Sequence, residues 1–445
     1  MNDDVRRQGG GMGLWLGLWT WSFIGSIAIG FMTGAGIIHS LNPAWGFYVV
    51  VIVSATVLVL NVMAPEPRRS AYRRSMTHHY DDDKEKYTRR IARGEIKLHL
   101  SSEGPMWWGE EVLAGLKLSL RMFFQRGFMV LALYVGWIYA QIVLVIILLG
   151  ALLSRNYRWQ PKHVGAGVTS IAIGALLATP LSKAGLFSRA RKEGPRTDSM
   201  TFQEHVTWSS HLLRRIVFML VLPFAGLAYT LASPGRNVHY MAPVVFAGLI
   251  GFLSNLAIAE CYGIIMETFD TSDLQPGANS RHRLQSLAPE VSRRRTNYSS
   301  FPRVTAGIFV SQTIAFLLAA AATGVGGAMT RNLGAQRATG VTAGILLLLT
   351  LLLTAALARF KSVQVIPDGA FGSRRTSSSA AAAGPFGHVD DEYWKPVIIG
   401  NPSGKMRRMS LLELGGMSRW TEIRRLNGLM GRRIGNSRWS SQSPV

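Results

Sequence analysis

Eight apolar stretches separated by polar segments dominate the pattern of this chain. They cover Gly11–Ile38, Ala44–Ala64, Gly127–Leu153, Val164–Leu181, Ile216–Leu231, the first part of Tyr240–Asp273, Val304–Ala328 and Gly340–Leu357. Most of them approach or exceed the roughly 20 apolar residues that an α-helix needs to cross a bilayer. The pattern therefore predicts an all-α polytopic membrane protein with about eight transmembrane helices.

The composition agrees with a chain that lies largely in lipid. Hydrophobic residues make up 48% of the 445 residues, charged residues make up 16%, and the mean hydropathy is +0.19. Lys and Arg exceed Asp and Glu by a formal charge of +23. Between apolar spans this excess indicates basic loops beside anionic lipid, so the bilayer is the predicted partner and nucleic acid is not.

Lys and Arg alternate between the two sides of the predicted spans. The segments on one side hold 42 of them, and the segments on the other side hold 6. Basic residues concentrate in the cytoplasmic loops of membrane proteins. Both termini are therefore predicted to lie in the cytoplasm.

The pattern divides the chain into five regions. They are a short cytoplasmic N-terminus over 1–10, two spans over 11–64, a central cytoplasmic loop over 65–126, six spans over 127–360 and a basic cytoplasmic tail over 361–445. The tail is rich in Gly, Ser, Ala and Arg and is predicted to be disordered.

Two stretches outside the spans mix basic and apolar residues. One precedes Arg126 and the other covers Met406–Ile434. Each suits an amphipathic helix at the membrane surface. Within the second stretch, Arg407 and Arg408 precede Ser410 in the pattern that basic-directed kinases accept.

Glu260 is the only Asp, Glu, Lys or Arg in any of the apolar stretches. Counted at about 1.5 Å per residue from Val244, it lies roughly 24 Å along the sixth span. Two interpretations stay open, because a carboxylate in a span normally faces protein or water. Glu260 either lines a transport pathway and exchanges a proton, or it lies solvated at the membrane boundary.

Other polar side chains in the spans are candidates for a substrate or proton pathway. They are Asn255, Tyr134, Tyr139, Gln141 and Gln312. Aromatic rings and amides of this kind would stack on or hydrogen-bond a planar or cationic solute, with Gln141 and Gln312 also within consideration as partners of Glu260. The alternative is that these residues only pack helices together.

Three glycines in the first span indicate a helix-packing motif. Gly30, Gly34 and Gly36 form a small-residue stripe that includes a GxxxG pattern. Such a stripe lets helix backbones approach closely in lipid. The expectation is that these glycines contact another helix.

No motif of an enzyme, metal site or cofactor site occurs in the sequence. GxxxxGK[ST], HExxH and CxxC are all absent, so no enzymatic activity, metal or cofactor is predicted. His78 and His79 next to Asp81–Asp83 are interpreted as a solvated charged loop. The single cysteine, Cys261, lies in an apolar stretch and is interpreted as a small buried side chain.

Several stretches resemble the major facilitator superfamily, and in particular its fungal drug:proton antiporters and polyamine-type exporters. GFMTGAGII over Gly30–Ile38 resembles the glycine motif of the fifth helix of that family, with Ala35 at the position of its proline. APEPRRSAYRRS resembles the start of the central loop, and FAGLIGFLSNLAIAECYGIIMETFDTSD resembles the tenth helix. The resemblance covers about Gly11–Pro367, and the first four of the family's twelve helices have no counterpart in the chain.

The resemblance implies a partial major facilitator fold and a transporter. Its substrate would be a small organic solute, namely a drug, a secondary metabolite or a polyamine, exported with the proton as coupling ion. The membrane would be the plasma membrane or the vacuolar membrane. The alternative is a truncated, non-transporting membrane protein that acts as a partner or sensor, or is inactive.

Overall fold

The computed structural model describes residues 11–63, 108–182, 208–235, 238–269, 302–364, 406–421 and 424. The described helices are α1 (Gly11–Ser40), α2 (Ala44–Met63), α3 (Trp108–Phe123), α4 (Phe128–Arg155), α5 (Pro161–Val168), α6 (Ser170–Ala178), α7 (Trp208–Leu231), α8 (Met241–Phe269), α9 (Pro302–Asn332) and α10 (Gly334–Leu357). A 3-10 turn over Thr179–Ser182 follows α6. Two short strands, β1 (Lys361–Gln364) and β2 (Met406–Met409), pair antiparallel.

Seven helical segments in the described part of the chain are long and apolar enough to cross a membrane. They are α1, α2, α4, α5 together with α6, α8, α9 and α10. The remaining predicted span lies in α7, whose apolar part, Arg215–Leu231, is shorter. No residue of the apolar helix α2 is buried by protein. A helix that is apolar and exposed all round is stable in hydrocarbon, which confirms an all-α polytopic membrane protein.

The six spans from α4 to α10 form two groups of three consecutive spans, and the main contacts join one group to the other. The first group is α4, α5–α6 and α7, and the second is α8, α9 and α10. α4 packs along α9, and α6 packs along α8. α7 packs on α10 and on α8, while α10 packs on α4. These contacts are symmetric between the groups when α4 corresponds to α8, α5–α6 to α9, and α7 to α10. Under this correspondence, each of the contacts becomes another contact of the same set or stays the same. Each group has an odd number of spans, so the second group runs in the opposite sense to the first.

The core of the bundle surrounds α4. Twenty of its residues are buried, from Phe128 to Leu153, whereas α2 buries none. α4 is surrounded because α9, α10 and α8 pack on different sides of it and α1 adds Phe31 against Gly150. The apolar residues that cover all sides of α4 thus face protein, and those of α2 face the surroundings.

Hydrogen bonds between helix ends show which of them lie at the same end of the bundle. At one end, Ser182 donates its hydroxyl to the Gly13 carbonyl at 2.8 Å, which joins the end of the α5–α6 span to the start of α1. At the other end, Tyr157 donates to the carbonyls of Gly235 and Val238 at 2.8 and 2.6 Å. The long polar segments between α2 and α3, α6 and α7, and α8 and α9 all join the bundle at the first of these ends, which we call the basic end.

The predicted disorder of the tail over 361–445 is wrong for residues 361–364 and 406–421. β1 pairs with β2, and the segment after β2 is packed on the basic end. Trp420 and Leu412 are each 1% exposed. The prediction of an amphipathic surface helix is also wrong for the first part of Met406–Ile434, which is a strand followed by turns. The segment is buried because it contacts the ends of α9 and α10 and the turn before α4, and its composition does not reveal these contacts.

The amphipathic helix predicted before Arg126 is present as α3, which packs on α9. Several other predictions fall outside the described residues. They concern residues 1–10, the stretch with His78, His79 and Asp81–Asp83, and most of the basic loops and the tail.

Candidate functional site

An open cavity of about 640 Å³ lies between α1 and α9, with α4 at its base. Its lining combines aromatic rings with hydroxyl and amide groups. The lining residues are Trp19, Ser22, Phe23, Ser26, Tyr139, Thr305, Ile308, Phe309, Gln312, Thr313 and Phe316. Small-molecule sites occupy roughly 300–1,000 Å³ and have mostly apolar walls with a few polar groups. The cavity has a volume in this range and a lining of this composition, and it is open on one side.

A hydrogen-bonded cluster of three side chains lies at the base of the cavity. Gln312 donates its amide to the Tyr262 hydroxyl at 2.6 Å and to the Tyr139 hydroxyl at 3.3 Å. The two hydroxyl oxygens are also 3.3 Å apart. These three residues, the tyrosine–glutamine cluster, come from α9, α8 and α4. Helices that are distant in sequence therefore meet at one polar point.

Aromatic rings surround this cluster. The Trp19 ring lies 5.1 Å from the Tyr262 ring, and the Phe23 ring lies 4.3 Å from the Tyr139 ring. Phe316 stands 5.7 Å from Phe23. Tilted and edge-to-face pairs at these separations are favourable for aromatic rings. The walls thus present flat apolar surfaces on both sides of a small polar base.

A glycine on α4 explains how Gln312 reaches the tyrosines. A Cβ at Gly136 would lie 2.9 Å from side-chain carbons of Ile314 and Leu318. Only a residue without a side chain lets α9 approach α4 so closely at this level. The close approach occurs one turn before Tyr139 and holds Gln312 within hydrogen-bond distance of it.

The described residues of the cavity would recognise a ligand through uncharged groups. None of the described residues that line it is Asp, Glu, Lys or Arg. Binding there would rest on stacking, on apolar contact and on hydrogen bonds to the amide and hydroxyl groups. Aromatic faces also attract cations through the ring quadrupole. A highly charged linear polyamine finds no carboxylate in this lining.

A buried ion-pair cluster lies toward the basic end, between α7 and α8. Arg215 donates Nε to Glu260 Oε2 at 3.1 Å and Nη1 to Glu267 Oε2 at 2.6 Å. The side chains of Arg215 and Glu260 are 12% and 8% exposed. Glu260 and Glu267 are seven residues apart, close to two helical turns, so both lie on one face of α8.

The pairing with Arg215 corrects the sequence interpretation of Glu260. The apolar stretches themselves contain no cation to neutralise it, because Arg215 lies one residue before the fifth of them, Ile216–Leu231. α7 extends two turns before that span, to Trp208, and so carries Arg215 into the bundle. Gln312 and Gln141, considered as partners of Glu260, form other contacts. One guanidinium thus contacts two carboxylates.

Of the other predicted site residues, none lines the cavity. Asn255 donates to the Ala175 carbonyl at 2.6 Å and so joins α8 to α6. Gln141 is buried against α7, where its amide nitrogen lies 3.3 Å from the Cβ position of Gly226. Tyr134 is fully buried on α4. These three residues therefore lie in contacts between helices, as in the alternative interpretation from the sequence.

The predicted packing of Gly30, Gly34 and Gly36 is wrong for the described part of the chain. A Cβ on any of them would meet no atom of the described residues within 4 Å. α1 contacts the bundle through its other face, where Met32 and Ala35 lie against Gly165. Close backbone approach occurs instead between α6 and α8, at Gly174, Gly248 and Gly251.

Several residues of both sites escaped sequence reasoning. Trp19, Phe23 and Phe316 lie in apolar stretches without a distinguishing pattern, and Glu267 lies where the sixth apolar stretch gives way to polar residues. The position of Tyr262, two residues after Glu260, could have indicated a polar site in this span. Arg215 directly precedes the fifth span, and charged residues in transmembrane segments pair with one another, which could have indicated it as the partner of Glu260.

Among the described residues, no group of three or more His, Cys, Asp or Glu side chains is placed to hold a metal ion.

The fold and the two sites define an integral membrane protein of the all-α polytopic class, with an aromatic cavity and a buried ion-pair cluster in its bundle. No protein-family model, curated protein or solved structure matches the chain.

Proposed function

We propose that the protein is a transmembrane transporter of a small organic solute, which binds in the cavity between α1 and α9. The observation that carries the proposal is the cavity itself, with flat aromatic walls and the tyrosine–glutamine cluster at its base. The substrate class that fits it best is a planar drug-like molecule or secondary metabolite. A polyamine fits less well, because the lining has no carboxylate among the residues that the structure describes.

The arrangement of the helices favours the same proposal. Two groups of three spans with exchanged packing partners have the form of the inverted repeats found within each half of major facilitator transporters. In such carriers the substrate site lies between helices of different repeats. Tyr139, Tyr262 and Gln312 come from both groups. We therefore propose a partial major facilitator fold, with the basic end and both termini in the cytoplasm of the plasma membrane or a vacuolar membrane.

The first prediction concerns the cavity. Gln312→Leu should weaken the binding of a planar probe such as ethidium by about tenfold, because one hydrogen-bonding group is lost and two tyrosine hydroxyls lose their donor. Binding is measured by tryptophan quenching in detergent, since Trp19 lies in the wall. Gln141→Leu is the matched control, because Gln141 is a buried glutamine outside the cavity lining. Equal losses in the two variants would contradict a site in the cavity.

The second prediction concerns proton coupling at the ion-pair cluster. In proteoliposomes with an imposed pH gradient, Glu260→Gln should abolish pH-driven accumulation of the probe while leaving its binding within about twofold. The carboxyl group proposed to carry the proton is removed, whereas the amide keeps its shape and still accepts a hydrogen bond from Arg215. Unchanged pH-driven transport by Glu260→Gln would exclude this residue as the proton site.

A second candidate function is a non-transporting membrane protein, used as a partner or sensor. It is favoured by the openness of the cavity and by α2, which buries no residue and so encloses nothing in the described bundle. The two assays separate the candidates. Probe binding that depends on Gln312, without accumulation under any gradient, would favour the second.

A further inference from the structure

The segment over Met409–Trp420, which we call the C-terminal clamp, is held against three helix ends. Leu411 donates its backbone N–H to the Ala356 carbonyl at 3.1 Å, at the end of α10. Arg303, at the start of α9, donates to the Met417 carbonyl at 3.1 Å. Gln125, in the turn before α4, accepts from the Met417 N–H at 3.2 Å. The clamp thus joins α4, α9 and α10 at the basic end.

A glycine in the α3–α4 turn creates the space for the clamp. A Cβ at Gly127 would lie 3.1 Å from the Leu412 nitrogen, and the backbone there is left-handed with a φ of +75°. Leu412 is 1% exposed and belongs to the same buried apolar cluster as the bundle. The clamp is therefore packed as part of the core.

Ser410 occupies the first turn of the clamp and is 3% exposed. Its hydroxyl donates to Glu413 Oε2 at 3.2 Å, and its backbone N–H donates to the same oxygen at 2.9 Å. The Glu413 N–H in turn lies 3.4 Å from the Ser410 oxygen. This reciprocal arrangement closes the turn that presents Leu411 and Leu412 to the bundle, and it places a carboxylate directly against the serine hydroxyl.

The residues before Ser410 carry the chemistry of a kinase substrate. Arg407 and Arg408 stand three and two positions before the serine. In the docked clamp both belong to β2, whose register pairs them with Val363 and Ser362 of β1. A kinase binds its substrate as an accessible extended segment, so it would reach Ser410 only when β2 has left β1 and the clamp has left the bundle.

We propose that Ser410 is a phosphorylation site and that phosphate on Ser410 holds the C-terminal clamp off the bundle. A basic-directed protein kinase transfers the γ-phosphoryl group of ATP to Ser410 Oγ. A new O–P bond forms, the bond to the β-phosphate breaks, ADP leaves, and the hydroxyl proton passes to the catalytic base of the kinase. ATP places this chemistry in the cytoplasm, so the proposal rests on the predicted orientation of the basic end and not on transport.

Repulsion explains why the modified clamp cannot return. A phosphoserine carries about −1.5 to −2 charges at neutral pH. Re-docking would bring that charge to the position 3.2 Å from the Glu413 carboxylate, in a turn where Ser410 is only 3% exposed. Like charges in a desolvated position repel strongly, and the hydroxyl donor that closes the turn is gone. The helix ends at Gln125, Arg303 and Ala356 then lose their common contact.

The test compares hydrogen exchange of the full chain in detergent with and without treatment by a basic-directed serine kinase and ATP. Peptides covering Met409–Trp420 should exchange slowly in the untreated protein and about tenfold or more faster after phosphorylation of Ser410. Ser410→Glu should accelerate exchange in the same peptides. Ser377→Glu is the matched control, because Arg374 and Arg375 precede Ser377 in the same pattern. It should leave the exchange of the clamp unchanged.

A third variant tests the role of Glu413. Glu413→Gln removes the repelling charge and keeps an acceptor, so it should reduce the acceleration caused by Ser410→Glu by at least about threefold. The proposal is overturned if kinase and ATP modify Ser377 but never Ser410. It is also overturned if the phosphorylated clamp keeps its slow exchange, or if the clamp of the unmodified protein exchanges as fast as an unfolded peptide.

Discussion

Replacing Arg215 with methionine should destabilise the protein by about 3 kcal/mol and lower its melting temperature in detergent by roughly 5 °C or more. Arg215 is the cation that neutralises Glu260 and Glu267, and its side chain is only 12% exposed. Methionine keeps the apolar stem but removes the guanidinium. Glu260 then remains a buried carboxylate that has lost this partner, which is among the most costly single changes to a folded protein.

The cost should come from the charge that is left behind and not from the loss of arginine as such. Adding Glu260→Gln to Arg215→Met should therefore recover part of the lost stability, which a double-mutant cycle measures. Arg331→Met is the control, because Arg331 is exposed and its Nε contacts the Gly327 carbonyl of its own helix at 3.4 Å. Melting of Arg215→Met at the temperature of Arg331→Met would refute the buried ion-pair cluster.

Two single glycine-to-alanine changes should have opposite effects, and this prediction reverses the expectation from sequence. Gly251→Ala should cost about 2 to 3 kcal/mol, because its new Cβ would collide with the backbone carbonyl of Ile171. A backbone atom of a packed helix cannot rotate away as a side chain does. α6 and α8 would have to separate along their shared contact, where Asn255 also joins them.

Gly34→Ala should be neutral or stabilising by up to about 1 kcal/mol, because alanine favours helix and the new Cβ meets no atom of the described bundle. Thermal melting of both purified variants in one detergent gives the comparison. Each variant adds only a single methyl group in place of hydrogen, so the difference reports packing alone. A larger loss for Gly34→Ala than for Gly251→Ala would mean that the packing of α1 and α6–α8 described above is incorrect.

Helix positions were predictable from the sequence because hydrocarbon imposes a simple condition on each span. The predicted first and second spans begin at the residues where α1 and α2 begin, Gly11 and Ala44. The eighth ends at Leu357, where α10 ends. Boundaries failed mainly where a polar residue continues a helix beyond the apolar run. α7 is the clearest case, since its first turns are polar and yet deliver Arg215 to the interior.

The candidate sites were predictable only in part, because they are made between helices. Tyr139 and Gln312 were both singled out, but their meeting depends on the close approach of α9 to α4 at Gly136. Gln141 lies only two residues from Tyr139, and the angle of about 100° per residue turns it to another side of α4. Which side faces a cavity depends on the neighbouring helices, and the local sequence of an all-apolar span does not record them.

By itself the sequence determined the membrane character of the chain and the order and approximate limits of most of its apolar helices. Each of these follows from the local cost of placing polar backbone or side chains in lipid. The tertiary structure alone decided that Arg215 pairs with Glu260, that Gly251 and not Gly34 lies at a close contact, and that the residues after β2 are buried. The physical reason is that these outcomes depend on distances between segments that are far apart in the chain. The local sequence of one segment does not contain those distances.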